Sequence, residues 1–190
     1  MNQLTSHIKS LIPISDDQLD VVLSKLVERH FAKKEHLLYV NSHAQEVFFT
    51  VAGCTRTYVL DFNGLEHNLS FAIENWWFGD LQSFLNNTPA IHNIQAMEDT
   101  TVLSISQENW HILLKEIPEF VNYLNVLFRN AMFAQQRRIV HNLSLTAEER
   151  YGLFLKEYPS LSQRISQKHI ASYLGITPEF LSMIRSRKKR

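Results

Sequence analysis

Near the C-terminal end of the chain, Pro178, Glu179, Ser182 and Arg185 fall at a spacing that gathers them on the outer side of one helix. Leu181 and Ile184, three residues apart, form the opposite, apolar side. A carboxylate such as Glu179 can accept from a cytosine amino group, a Ser182 hydroxyl can approach either strand, and the Arg185 guanidinium can hold guanine or phosphate. Just upstream, Ser166, Gln167 and Lys168 supply donors suited to phosphate oxygens. This is chemistry for reading a groove, not for making or breaking a covalent bond.

Two short helices and a tight corner must position these groups. Ile170 and Leu174 repeat at i, i+4 on the first helix, and Ala171 is small enough for a second helix to cross closely. Gly175 suits the left-handed residue that ends a helix. Thr177 is placed to cap the next helix, with Pro178 in its first turn, where no amide donor is missed. The result is a helix-turn-helix, whose second helix has the shape to enter a DNA major groove. An αα-hairpin that merely packs shares this apolar pattern. The short, polar outer face and the closing run Arg185-Ser186-Arg187-Lys188-Lys189-Arg190 favour the nucleic-acid alternative.

Charge is distributed to match. The whole chain is neutral, but residues 151–190 carry a net +6 and residues 1–150 a net −6. A basic end on an acidic body points to an anionic partner at that end. Its 45% hydrophobic residues, with only 5 Gly and 5 Pro, indicate a packed globular protein of one or two domains. The lone Cys54 excludes an intramolecular disulfide, an all-cysteine zinc site and a four-thiolate cluster within one chain. No apolar run is long enough for a membrane span and no leader pattern opens the chain, so the expectation is a cytoplasmic protein.

In chain order, Ser15 to Gln18 form a capping box, with Ile14 and Leu19 as its staple, and start an amphipathic helix. Between His30 and about Ile105, six short β-rich runs alternate with turn signals, Asp61-Phe62-Asn63-Gly64 reading as a hairpin. That pattern predicts an antiparallel double-sheet jelly roll. Ser106 caps a short helix, and Pro118 opens a long one. Along it Phe120, Leu124, Leu127, Ala131, Ala134 and Arg138 follow a 4-3-4-3-4 spacing. This face either covers its own barrel or pairs with the same helix of a second subunit; the helix's length favours the dimer, with Leu124, Leu127, Ala131 and Ala134 at the contact. Thr146 to Glu149 form a second capping box.

Barrel, long helix and C-terminal helix-turn-helix, in that order, resemble the Crp/Fnr family of bacterial transcription regulators over nearly the whole chain. The block LTAEERY…YPSLSQRISQKHIASYLGITPEFLSMIR resembles the branch found in Bacteroidetes-type bacteria. The resemblance implies an effector-sensing first half, a dimerising helix, DNA as partner and possible engagement of RNA polymerase. It puts Glu179, Ser182 and Met183 at base-reading positions, and Thr177 and Gln167 at phosphate contacts. Met183 departs from the family, where a long basic or amide side chain often stands. The chain also stops at Arg190, short of the family's usual β-hairpin wing.

Trp77-Phe78-Gly79-Asp80-Leu81 is similar to the start of the family's phosphate-binding cassette. Where cyclic-nucleotide binders place an Arg-Ser or Arg-Thr pair on the phosphate, this chain has Ala90 and Ile91. A buried phosphate without a guanidinium is costly, so cyclic AMP and cyclic GMP are not expected, and no cofactor is assigned. No His-x-His metal constellation, G-x-S-x-G, P-loop or G-x-G-x-x-G occurs, and no enzyme activity is expected. The expected fold is therefore α+β: a jelly-roll sensor with N-terminal helices over 1–117, a dimerisation helix over 118–143 and a helix-turn-helix without a full wing over 144–190. The expected function is a homodimeric DNA-binding regulator. A sensor whose helical end contacts a protein is the alternative.

Overall fold

A computed structural model describes residues 2–187. Lys188, Lys189 and Arg190 of the basic run lie outside the described residues. The chain opens with helices α1 (Asn2–Leu11) and α2 (Asp16–Ser24), then strands β1 (Val27–Phe31), β2 (His36–Leu38), β3 (Glu46–Ala52), β4 (Thr55–Leu60), β5 (Glu66–Ala72) and β6 (Trp77–Phe78). Helix α3 (Leu81–Asn86) precedes β7 (Asn93–Ala96) and β8 (Thr100–Ser106). Helices α4 (Gln107–Glu116), α5 (Pro118–Ser144), α6 (Ala147–Glu157), α7 (Leu161–Arg164), α8 (Gln167–Leu174) and α9 (Pro178–Arg187) complete it. Among the described residues, no helix is long and apolar enough to cross a membrane.

Local chemistry sets many of these boundaries. Ser15 and Thr146 each accept from the third helical amide while Gln18 and Glu149 reach back, so both expected capping boxes form. Ser106 caps α4 through the Asn109 amide. At the β4–β5 turn the Asp61 carboxylate accepts from the Asn63 and Leu65 amides at 2.8 and 2.9 Å, and Gly64 takes φ +77°.

The strands form two four-stranded sheets, ordered β1-β8-β3-β6 and β2-β7-β4-β5. β1 and β3 both run antiparallel to β8, with Val47 opposite Ile105 and Val27 opposite Ser104. This agrees with the expected antiparallel double-sheet architecture, although the sheets do not close into a continuous barrel.

The chain divides into two compact units. The first holds residues 1–57 and 71–130; the second holds 58–70 and 131–190. The outer part of the β4–β5 hairpin, residues 58–70, is thus grouped with the C-terminal helices, a grouping that sequence periodicity does not reveal. Within the first unit, Leu4 and Ile8 of α1 and Leu19 and Val22 of α2 join Phe49, Leu103, Ile105, Trp110, Leu113 and Phe120 in one core. Each such buried side chain contributes roughly 1.5–3 kcal/mol of transfer free energy. Trp110 meets Phe84 and Phe120 edge-on at 5.6 and 5.7 Å between ring centroids.

Tyr123 of α5 is the polar node of that core. Trp77 Nε1 donates to its hydroxyl at 2.8 Å, and His7 Nδ1 of α1 lies 2.7 Å from the same oxygen. Burial holds the His7 pKa below its ordinary 6.5. Unfolded His7 therefore takes up a proton before native His7 does as the pH falls. Its stabilising contribution is complete above about pH 6.5 and is lost as the pH falls from there toward the native value. Urea midpoints should accordingly be lower at about pH 5.5 than at about pH 7.5, and His7→Gln should flatten that difference. An unchanged pH dependence in the variant would contradict this assignment.

The long helix corrects one expectation. Leu124 is only 4% exposed, and with Phe120 it is enclosed in the first unit's own core, against which Leu127 also packs. The side of α5 that stays exposed is displaced around the helix: Val121, Phe128, Met132, Ile139 and Leu143. Ala131 is exposed and Ala134 half-buried. A 3.5-residue period identifies an apolar stripe but does not say whether the barrel or a partner covers it.

Candidate nucleic-acid interface

In the second unit, α8 and α9 are held together by Ile170, Ala171 and Leu174 packed with Leu181 and Ile184, all buried. Gly175 ends α8 at φ +68°, where a side chain would be strained. Its amide and that of Ile176 return to the carbonyls of Ser172 and Ala171 at 3.2 and 3.0 Å. Thr177 Oγ1 then accepts from the Phe180 amide at 3.2 Å, and α9 begins at Pro178. The corner forms from the residue types that the sequence placed there.

This packing leaves Thr177, Pro178, Glu179, Ser182 and Met183 exposed on and beside the first turns of α9, with Arg185 half-buried. Ser166, Gln167 and Lys168 are exposed at the start of α8. Ser166 takes N-cap backbone geometry without a capping bond from its side chain. Phe180, which sequence spacing did not single out, is also exposed and stands three residues before Met183.

A bracket that joins residues far apart in sequence orients α8. The Ser172 hydroxyl donates to the Glu66 carbonyl at 2.9 Å and accepts from the Asn68 amide at 3.0 Å, engaging β5 as a neighbouring strand would. The Asn68 side chain donates to the His169 carbonyl at 3.0 Å. From α5, Arg138 donates to the carbonyls of Leu69 and Tyr173 and lies 4.3 Å from the centre of the Tyr173 ring. Arg150 of α6 donates to the Leu174 carbonyl at 3.3 Å. Two guanidinia thus serve the last carbonyls of α8, where helix ends otherwise lack donors. Behind them, Phe154, Tyr158 and Tyr173 form an aromatic cluster, and burial raises both tyrosine pKa values.

The segment similar to a phosphate-binding cassette lies in the first unit and is internally satisfied. Gly79 is required by close approach, because a Cβ there would come within 2.8 Å of Val47 Cγ1. Asp80, 3% exposed, accepts from the Ser83 amide at 3.0 Å through Oδ1. Its Oδ2 accepts from the Ile91 amide at 3.0 Å and lies 3.1 Å from His92 Nδ1. The Ala90 amide donates to the Ser42 carbonyl at 2.7 Å. The amides at Ala90 and Ile91 that would face a phosphate are therefore used within the fold. Leu81 and Ile91 are exposed, and Phe78 stacks on Phe48 with centroids 5.3 Å apart.

A cleft of about 200 Å³ beside this segment is bordered by Tyr39, His43, Glu46, Phe48 and Asp80. Of the six cassette residues that the sequence nominated, only Asp80 lines it. It is small for a nucleotide and presents two carboxylates without a Lys or Arg. Asp80→Ala should strip three donors of their acceptor and lower stability by about 2–4 kcal/mol in urea denaturation, with Asp80→Asn costing less. A loss below about 0.5 kcal/mol would contradict the role given to this carboxylate. Among the described residues, no group of three His, Cys, Asp or Glu side chains is placed to hold a metal ion.

Comparison with known proteins fits this geometry. Residues 28–116 match the cyclic nucleotide-binding domain. The fumarate and nitrate reduction regulatory protein of Vibrio cholerae is 26% identical over 187 residues, covering 90% of this chain and 71% of that protein. FixK2 from Bradyrhizobium japonicum has a similar fold, with TM-score 0.75 at 22% identity over 85% of this chain and 83% of its own. So does the c-di-GMP-responsive global regulator CLP from Xanthomonas campestris, with TM-score 0.75 at 12% identity over 92% of each chain. The first part of the chain thus carries a match to the cyclic nucleotide-binding domain, and over most of its length the chain is similar in sequence or fold to regulators of the Crp/Fnr type.

Proposed function

We propose that this protein is a sequence-specific DNA-binding transcription regulator that acts as a homodimer on an inverted-repeat operator. The observation that carries this is the exposed face of α9. Glu179, Ser182 and Met183 are free to reach base edges because Leu181 and Ile184 hold the other side of the helix in the core. Ser166, Gln167 and Lys168 flank it as phosphate contacts, and the C-terminal segment's net +6 supplies the electrostatic attraction. The second copy contacts the exposed side of α5, through Phe128, Met132, Ile139 and Leu143, with Ala131 and Ala134 at the margin.

The first part senses something other than a cyclic nucleotide, or acts as a scaffold alone. The engaged amides of Ala90 and Ile91 and the two carboxylates at the cleft support that choice. Selection of random genomic fragments by the purified protein, at about 50 and 200 mM salt, tests the proposal. An enriched palindrome, bound far less tightly at the higher salt, is the expected result. No enriched sequence, with or without cell extract as a source of effector, would overturn it.

A further inference from the structure

Two large apolar side chains stand where a groove-reading helix would be expected to carry hydrogen-bonding groups. Phe180 is 41% exposed and Met183 is 42% exposed, although both lie within the first two turns of α9. Three residues apart, they are neighbours on the helix surface. They are not spare core residues, since Leu181 and Ile184 already fill the buried side at 0% and 2% exposure. The bond from the Phe180 amide to Thr177 Oγ1 fixes the turn that carries the first of them. Single exposed apolar residues are ordinary on protein surfaces. A pair set beside Glu179 and Ser182, on a helix whose last turn carries Arg185 and Arg187, is placed against a polyanion.

The major groove offers one apolar group to such a pair, the C5-methyl of thymine. Guanine presents only acceptors there, at O6 and N7, and neither a thioether nor a phenyl ring has a donor to give them. Placing Met183 over guanine would desolvate two acceptors without replacement, a standard source of discrimination. We infer that Phe180 and Met183 form a thymine-methyl reader, so that each half-site pairs a cytosine read by Glu179 with a neighbouring thymine read by this apolar pair. The inference rests on the DNA-binding proposal and names the base class that the proposal leaves open.

The experiment uses the full-length protein and the palindrome it enriches, rebuilt with deoxyuridine at each thymine in turn. Uracil keeps every hydrogen-bonding group of thymine and lacks only the methyl. At one or two symmetric positions per half-site, binding should weaken by about fourfold per methyl removed, the value of one buried carbon. Met183→Ala and Phe180→Ala should bind the thymine and uracil duplexes equally at those positions. Met183→Arg should move the enriched base there from thymine toward guanine. The uracil series needs no variant, so a misfolded mutant does not confound it. Equal binding of thymine and uracil duplexes at every position, with the palindrome still enriched, would overturn the methyl reader and leave the regulator intact. No palindrome at all would overturn the DNA-binding proposal, and this inference with it.

Discussion

A Glu179→Ala, Ser182→Ala variant should keep the parent's melting temperature and lose selective binding to the enriched duplex by about 10²-fold or more. Both side chains are exposed and neither fills the α8–α9 core, so stability should stay within about 0.5 kcal/mol. Binding is different, because each proposed base-edge contact contributes about 1–3 kcal/mol of discrimination and the second copy of the proposed dimer doubles the loss. The proposed phosphate contacts of Ser166, Gln167 and Lys168 are untouched, so residual non-specific affinity should persist with nearly the same salt dependence. Fluorescence anisotropy on specific and scrambled duplexes separates the two components. A variant that still prefers the palindrome would remove α9 from the reading role.

Arg138→Leu should have the largest effect on the second unit. Its guanidinium holds the Leu69 and Tyr173 carbonyls at once and covers the Tyr173 ring. Leaving two carbonyls without donors costs about 1–3 kcal/mol each, reduced here because the side chain is half-buried and water reaches part of it. The expected net loss is about 3 kcal/mol, seen as roughly 10²-fold faster hydrogen exchange at α8 amides. Arg138→Lys should recover under half of this, because an ammonium cannot span both carbonyls as a planar fork does. Fluorescence of Trp76, Trp77 and Trp110, all in the first unit, provides an independent monitor of that part of the chain. Unchanged exchange in α8 would show that the bracket is incidental.

What the sequence made legible is what depends on near neighbours. The capping boxes at Ser15 and Thr146, the cap at Ser106 and the left-handed Gly175 require only residues a few positions apart, and all were readable. Helix α1 has Leu4 and Ile8 at i, i+4, but two buried apolar positions in ten residues are too few to set its bounds from periodicity. Strand β1 was hidden because it is an edge strand, exposed along nearly its whole length, with little apolar alternation in Val27–Phe31. Leu124 was assigned to a partner although its own core encloses it, and periodicity cannot decide between those two coverings.

The site followed the same division. The exposed positions of α9 follow from a 3.6-residue period. Phe180 escaped notice because an apolar residue beside Leu181 reads as more core until the packing direction is known. Asp80 stands in the segment that is similar to a phosphate-binding cassette. In the fold it serves its own backbone, through Ile91, eleven residues away in sequence. Arg138 and the Asn68–Ser172 bracket had no local signal, since their partners lie 35 to 104 positions apart.

The central claim is that two copies each place α9 in a major groove of one operator. A hydroxyl-radical and methylation footprint of the enriched duplex, with the mass of the complex measured in parallel, tests it most directly. Two chains per duplex, with protected major-groove patches on one face about 34 Å apart, are predicted. One chain per duplex, or a single patch with no symmetry mate, would contradict the account.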